Sequence, residues 1–140
     1  MPGKDVSVLI PAREEMWLQR TIDDILAHRE ADTEVIAVLD GYVPDPPIRP
    51  DPRVRLIPHD TAIGQRAAVN EAARLSQATY VMKLDGHSAV DQGFDVKLMA
   101  DCEADWTVIP RMYNLHVFDW QCDACGHRFY QADPVPVCLC

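Results

Sequence analysis

The sequence lacks any apolar run approaching the roughly 18 residues that a membrane-spanning helix needs. It also lacks the charged segment and short apolar core of a secretory signal peptide. Basic residues are scarce, because 13 lysines and arginines stand against 22 aspartates and glutamates, for a formal net charge of -9. These features predict a cytoplasmic protein without a membrane span, and they disfavour generic binding to nucleic acid.

Two common nucleotide-binding motifs are also missing. No Gly-x-Gly-x-x-Gly follows a strand-like segment, and no Gly-x4-Gly-Lys-Ser/Thr phosphate loop is present. This disfavours a nicotinamide enzyme and a P-loop hydrolase. The 140 residues are 48% hydrophobic and 25% charged, a balance typical of one globular domain with at most a small appendage.

Short apolar segments alternate with amphipathic ones along most of the chain, which predicts strands separated by helices. The predicted strands are 6–10, 35–39, 54–57, 80–84 and 106–109, and the predicted helices are 14–29, 64–77 and 94–102. The first helix would hold Glu14 and Glu15 in its first turn, where the helix dipole favours negative charge. The alternation predicts an α/β fold with a mostly parallel sheet flanked by helices.

Polar residues follow three of the predicted strands. Residues 11–15 follow the first strand, Asp40 ends the second, and 85–87 follow the fourth. The carboxyl ends of parallel strands meet at one edge of a sheet and form its usual ligand site. We therefore expect these side chains to share a site, although Asp40 and Asp85 also fit simple turn residues.

The chain contains, in this order, the segments Val6–Glu15, Glu34–Gly41, Gly64–Asn70 and Tyr80–His87. Together they resemble glycosyltransferase family 2, whose members use nucleotide sugars and have the Rossmann-like GT-A fold. Val6–Glu15 is similar to the opening strand and its Pro-x-x-Asn-Glu turn, and Glu34–Gly41 is similar to the second strand with its acidic end. Gly64–Asn70 is similar to the Gly-x-x-Ala-Ala-Arg-Asn helix start. Tyr80–His87 resembles the strand that delivers the Asp-x-Asp metal motif, in the Asp-x-His form of polypeptide N-acetylgalactosaminyltransferases.

This sequence departs from the family pattern at three positions. Glu14 stands where the family has Asn, Leu39 where it has an acidic residue, and Val69 where it has Arg. The Asp-x-His motif has Gly86 at its centre, and we expect that glycine to adopt an unusual backbone so that both flanking side chains face one site.

The resemblance implies transfer of a sugar from a nucleoside diphosphate sugar, expected to be a UDP-sugar, to an unidentified hydroxyl. It implies that Asp85 and His87 hold Mn²⁺ or Mg²⁺, which neutralises the departing diphosphate. Asp40 corresponds to the carboxylate that accepts the uracil N3 hydrogen. Arg66 would reach the diphosphate, although it also fits a solvated helix residue. The donor-binding residues implied in full are Pro11, Ala12, Glu15, Asp40, Arg66 and Asp85.

The general base is not fixed by the resemblance, because in the family it lies well downstream of the metal motif and this chain ends first. Asp119 is the first candidate, and Asp91 or a group on the substrate are alternatives. A truncated or minimal member that binds donor is the favoured interpretation. The alternative function is a non-catalytic nucleotide-binding module, or a zinc-stabilised interaction module.

Four of the five cysteines lie near the end of the chain. Cys122 and Cys125 form a Cys-x2-Cys pair, and Cys138 and Cys140 follow, so four thiolates are predicted to bind one structural zinc ion. His127 is an alternative ligand, and unrelated surface thiols are the competing interpretation. A zinc-ribbon-like segment at 119–140 would then follow a GT-A domain at 1–118, which resembles short, phage-type members of the family.

Overall fold

The computed structural model describes residues 3–113, 119–130 and 138–139. The chain divides into two compact units, Met1–Val108 and Ile109–Cys140. The elements of the first unit are β1 (Val6–Ala12), α1 (Leu18–His28), β2 (Thr33–Asp40), β3 (Val54–His59), α2 (Gln65–Leu75), β4 (Tyr80–Lys83) and α3 (Phe94–Ala100). The second unit contains the antiparallel pair β5 (Asp119–Gln121) and β6 (Arg128–Tyr130). Within the described ranges, no helix is long and apolar enough to cross a membrane.

The first unit is built on a parallel sheet with the strand order β3-β2-β1-β4. The two central strands are apolar along almost their whole length, as expected for strands covered on both faces. One face packs against α1 and α3, and the other packs against the small side chains Ala68 and Ala72 of α2. Burial of each large aliphatic side chain contributes about 1.5–3 kcal/mol. The predicted α/β architecture with a parallel sheet is confirmed.

Strand β1 runs through Pro11 to Ala12, two residues beyond its predicted end at Ile10. The pairing of β1 with β4 ends at Leu9 and Lys83, whereas the pairing with β2 continues through Pro11 opposite Val38. Proline removes a ladder hydrogen bond, so it is tolerated where one side of a strand has no neighbour.

The prediction that α1 begins at Glu14 is wrong. The helix begins at Leu18, and Glu14 has a left-handed backbone with φ of 50°. A left-handed residue cannot continue an α-helix. Glu15 was expected in the first turn of α1, where the helix dipole favours negative charge. Its side chain is instead directed to the edge of the sheet.

The prediction of a fifth strand at 106–109 is also wrong, since these residues are in no strand. Trp106 and Ile109 are 60% and 78% exposed. An apolar, β-branched run becomes a strand only when its backbone pairs with a neighbour, and within the described part of the chain β4 pairs with β1 alone.

Helix α3 is tied to the turn between α1 and β2 through the buried carboxylate of Asp95. It accepts hydrogen bonds from the Thr33 hydroxyl at 2.6 Å and from the backbone N–H groups of Glu30 and Ala31, both at 3.0 Å. Burial acts to raise the pKa of Asp95, but these hydrogen bonds to the charged form outweigh it and hold the pKa below its ordinary value. The ionised carboxylate is thus part of the fold.

Candidate functional site

A cavity of about 280 Å³ opens where β1, β2 and β4 end, at the carboxyl edge of the sheet. Its walls come from the segment after β1, the last residue of β2, the start of α2 and the turn after β4. The structure brings six of the predicted site residues to this cavity: Pro11, Ala12, Glu15, Asp40, Asp85 and His87.

Asp40 is buried at the end of β2, with 3% of its surface exposed. Its carboxylate accepts hydrogen bonds from the backbone N–H of Ile63 at 2.6 Å and of Gly64 at 3.1 Å. Gly64 has φ of 91°, a conformation that favours glycine, and it directly precedes α2. Asp40 therefore fastens the segment that forms one wall of the cavity.

The turn after β4 is hydrogen-bonded to a side chain of α1. The hydroxyl of Thr21, which is 2% exposed, donates to the backbone carbonyl of Gly86 at 2.8 Å and accepts the N–H of Ser88 at 3.1 Å. These two hydrogen bonds, the first buried and the second partly buried, connect the turn to α1 across 65 and 67 residues of sequence and hold its backbone.

Glu15 and His87, which both line the cavity, are in direct contact. Oε2 of Glu15 lies 2.7 Å from Nδ1 of the imidazole. The other carboxylate oxygen accepts the N–H of Trp17 at 3.1 Å. The Glu15 side chain is 15% exposed and the His87 ring is 60% exposed, so a largely buried carboxylate holds an accessible imidazole.

The expected unusual backbone at Gly86 is not observed, because its φ lies outside the left-handed region. The position instead needs glycine for space. A Cβ atom there would stand 2.7 Å from Cγ of Glu15, much closer than two carbon atoms can approach. The centre of the Asp-x-His motif is therefore covered by the stem of Glu15.

Asp85 forms an exposed ion pair with Lys83. Ion pairs of this kind contribute little to stability, because water and salt screen them. The carboxylate of Asp85 is accordingly able to exchange this partner for another cation.

Two further predicted residues of the first unit, Arg66 and Asp91, do not line the cavity. Arg66 is exposed on the first turn of α2 and does not line it. Asp91 is also exposed and outside it, and hydrogen bonds from Lys97 and from the N–H of Gln92 hold the pKa of Asp91 below its ordinary value. Asp119 begins β5, and its side chain lies outside the described part of the structure.

Arg13 was not predicted as a site residue, yet among the described residues it is the one lysine or arginine that lines the cavity. Gln65 at the start of α2 was missed as well. The position of Arg13 inside the segment that follows β1 was an available signal, since that segment was expected at the site.

The second unit places three cysteine thiols together. Cys122 and Cys125 lie in the turn between β5 and β6, and their sulfur atoms and that of Cys138 lie within 4.8 Å of one another. The N–H of Gly126, which has φ of 72°, donates to the carbonyl of Cys122 at 2.8 Å and closes the turn. Clustered thiols are a donor set able to hold a metal ion. Cys140 lies outside the described residues.

The sequence model described as "Glycosyl transferase family 2" matches residues 7–121 of this chain. The chain belongs to glycosyl transferase family 2. No curated protein matches it. Its structure is similar to the "Crystal structure of S. aureus TarS 1-349", with a TM-score of 0.56, 13% sequence identity, and coverage of 76% of this chain and 38% of that chain. This likeness shows the fold, and the predicted GT-A-like α/β fold is confirmed.

The cavity of this family 2 chain fits a divalent cation by the chemistry of its donor atoms. The carboxylate of Asp85 and the imidazole of His87 line the same cavity, and their side chains are 42% and 60% exposed. A carboxylate beside an imidazole suits manganese, whereas magnesium prefers oxygen ligands alone.

Proposed function

We propose that this chain binds a nucleoside diphosphate sugar, with UDP-sugar as the expected donor, and transfers the sugar to a hydroxyl of an unidentified acceptor. The observation that carries the proposal is the cavity at the carboxyl edge of the sheet, which joins Asp40, Asp85 and His87 in a chain of glycosyl transferase family 2. The donor site is assigned to residues 1–118 and a metal-stabilised segment to 119–140.

Asp85 and His87 are proposed to hold Mn²⁺ or Mg²⁺ against the donor diphosphate. When bound, the cation neutralises the negative charge that develops on the leaving diphosphate. The chain contributes the placement of both ligands: the Thr21 hydroxyl fixes the backbone of the turn, and Glu15 holds the imidazole.

Asp40, Pro11 and Ala12 are proposed to receive the base and ribose. Each carboxylate oxygen of Asp40 has two lone pairs, so the hydrogen bonds from the N–H groups of Ile63 and Gly64 leave lone pairs that could accept the uracil N3 hydrogen. Glu15, which the resemblance also assigns to this pocket, accepts a hydrogen bond from the His87 ring.

Arg13 is the favoured partner of the diphosphate, with Arg66 as the alternative. We expect Arg13→Ala to weaken UDP binding about 10- to 100-fold in the presence of Mn²⁺, because a charge-assisted hydrogen bond contributes about 1.5–3 kcal/mol. Uridine, which has no phosphate, should bind both proteins alike. Isothermal titration calorimetry measures the effect, and Arg66→Ala is the matched control. If Arg66→Ala weakens UDP binding more than Arg13→Ala does, Arg66 is the partner of the diphosphate.

The proposal is tested with His87→Ala. We expect Mn²⁺ and UDP together to stabilise the wild-type chain by about 2.7 kcal/mol at about 100 times the dissociation constant. His87→Ala should lose the manganese-dependent part of this stabilisation in a thermal-shift titration. His28→Ala is the control, since that imidazole contacts only the carbonyl and carboxylate of Asp24 on its own helix in the described contacts.

Unchanged donor affinity of His87→Ala with Mn²⁺ present would contradict the metal assignment.

The wild-type chain and His87→Ala also distinguish an enzyme from a non-catalytic binding module. Manganese-dependent release of sugar from a nucleotide sugar without acceptor supports an enzyme, and tight binding without any release supports a non-catalytic module. Asp119 remains the proposed general base, with Asp91 or a group on the substrate as alternatives. The pKa of Asp91 lies below its ordinary value, so the Asp91 carboxylate would be a weak base.

In the second unit, Cys122, Cys125 and Cys138 are proposed to bind one structural Zn²⁺ ion, with Cys140 as the fourth ligand and His127 as its alternative. The support is the proximity of three sulfur atoms. A closed site of four ligands, three or four of them thiolates, is typical of structural zinc.

A further inference from the structure

We infer that Glu15 is a positioning residue that sets which nitrogen of His87 faces the cation: Nδ1 carries the hydrogen and Nε2 carries the lone pair. This inference rests on the proposed metal site at Asp85 and His87. The inference concerns the free protein: with no metal or nucleotide bound, Glu15 selects the tautomer of the His87 ring.

The first support is the chemistry of the contact. An ionised carboxylate only accepts hydrogen bonds, so a carboxylate oxygen 2.7 Å from Nδ1 requires that nitrogen to be the donor. In a neutral ring the hydrogen on Nδ1 leaves the lone pair on Nε2. A carboxylate on the far nitrogen also orients the ring and raises the basicity of the ligand nitrogen.

The second support is that Glu15 is itself fixed. Its other oxygen accepts the N–H of Trp17, and its side chain is largely buried although the imidazole it holds is largely exposed. Its stem covers Gly86, where no Cβ would fit. The carboxylate is therefore anchored by its own loop, and the exposed ring takes its orientation from the carboxylate.

The third support is that the backbone of the same turn has an independent anchor in Thr21. The turn is thus held by the Thr21 hydroxyl as well as by the packing of the Glu15 stem on Gly86. Because glutamine keeps that stem, Glu15→Gln changes the contact with the ring and leaves the backbone contacts of the turn in place.

The test compares Glu15→Gln with Glu14→Gln. Both remove one negative charge from adjacent positions, but Glu14 is exposed and does not line the cavity. A glutamine amide can donate to Nδ1 as well as accept from it, so Glu15→Gln releases the constraint while keeping size. Thermal unfolding of both variants checks that the fold is kept.

The first measurement uses metal-free protein with ¹⁵N-labelled histidine, at a pH above the ordinary histidine range. Long-range ¹H–¹⁵N correlations report which ring nitrogen carries the hydrogen, and His87→Ala identifies the signals. We expect the Nδ1–H form in the wild type and in Glu14→Gln, and a substantial Nε2–H population in Glu15→Gln. A wild-type ring in the Nε2–H form, or a ring unaffected by Glu15→Gln, would overturn the inference.

The second measurement is the affinity for Mn²⁺ alone, by electron paramagnetic resonance of the free ion. Loss of a partner that orients a histidine ligand costs about 10- to 100-fold in metal affinity. We expect that loss in Glu15→Gln and none in Glu14→Gln; equal affinities overturn the inference. If His87→Ala binds Mn²⁺ as tightly as the wild type, the proposed metal site fails instead, and the result on the metal-free ring separates the two failures.

Discussion

Asp95→Ala is expected to lower the free energy of unfolding by about 3 kcal/mol, as measured by urea denaturation. The substitution leaves the buried Thr33 hydroxyl, the buried N–H of Ala31 and the partly buried N–H of Glu30 without their acceptor. Each buried group that loses its partner costs about 1–3 kcal/mol. Asp91→Ala removes an exposed carboxylate from the segment before the same helix and should leave the midpoint nearly unchanged.

The same carboxylate gives a pH dependence of defined sign. Because the pKa of Asp95 is lower in the folded chain, the unfolded chain binds more protons, and stability rises with pH. The contribution is fully present above the unfolded value of about 3.9 and is lost as the pH falls through the folded value. Asp95→Ala should therefore flatten the acid limb of the stability curve. An equally steep limb in the variant would contradict the role given to these hydrogen bonds.

The double substitution Cys122→Ser, Cys125→Ser is expected to reduce bound zinc from one ion per chain to none. Two of the three clustered sulfur atoms are removed, and oxygen does not replace thiolate in such a site. The pair β5 and β6 has three residues in each strand, too few to be stable alone in water, so its folding should be lost with the metal.

Native mass spectrometry and elemental analysis of protein purified without chelator measure the zinc content. Cys102→Ser is the control, because Cys102 belongs to the first unit. Zinc occupancy of the wild type should fall at acid pH, where thiolates take up protons. A wild-type chain without zinc, or a double variant with its full content, would assign the cysteines another role.

The parallel sheet was predictable because its central strands carry an unambiguous local signal. β1 and β2 contain short, β-branched apolar runs that are typical of strands covered on both faces. The segment at 106–109 has a similar composition but is not a strand, because pairing depends on a neighbour that composition does not reveal. The start of α1 was misplaced for another reason: periodicity cannot show that Glu14 is left-handed or that Glu15 has a partner elsewhere.

Six cavity residues were predictable because the carboxyl ends of parallel strands necessarily converge. The contact of Glu15 with His87 was not predictable, since it joins side chains 72 positions apart and depends on two loop conformations. The function of Gly86 was misread for the same reason. Its constraint is a neighbouring side chain and not its own backbone.

The hydrogen bonds of Asp40 make two backbone amides into natural probes of the cavity wall. The N–H groups of Ile63 and Gly64 both end on one buried carboxylate, so they exchange with solvent deuterium only when the segment before α2 lifts from β2. Their exchange rates measure how often the wall opens in the absence of any ligand. A ligand that closes the wall must slow both amides together.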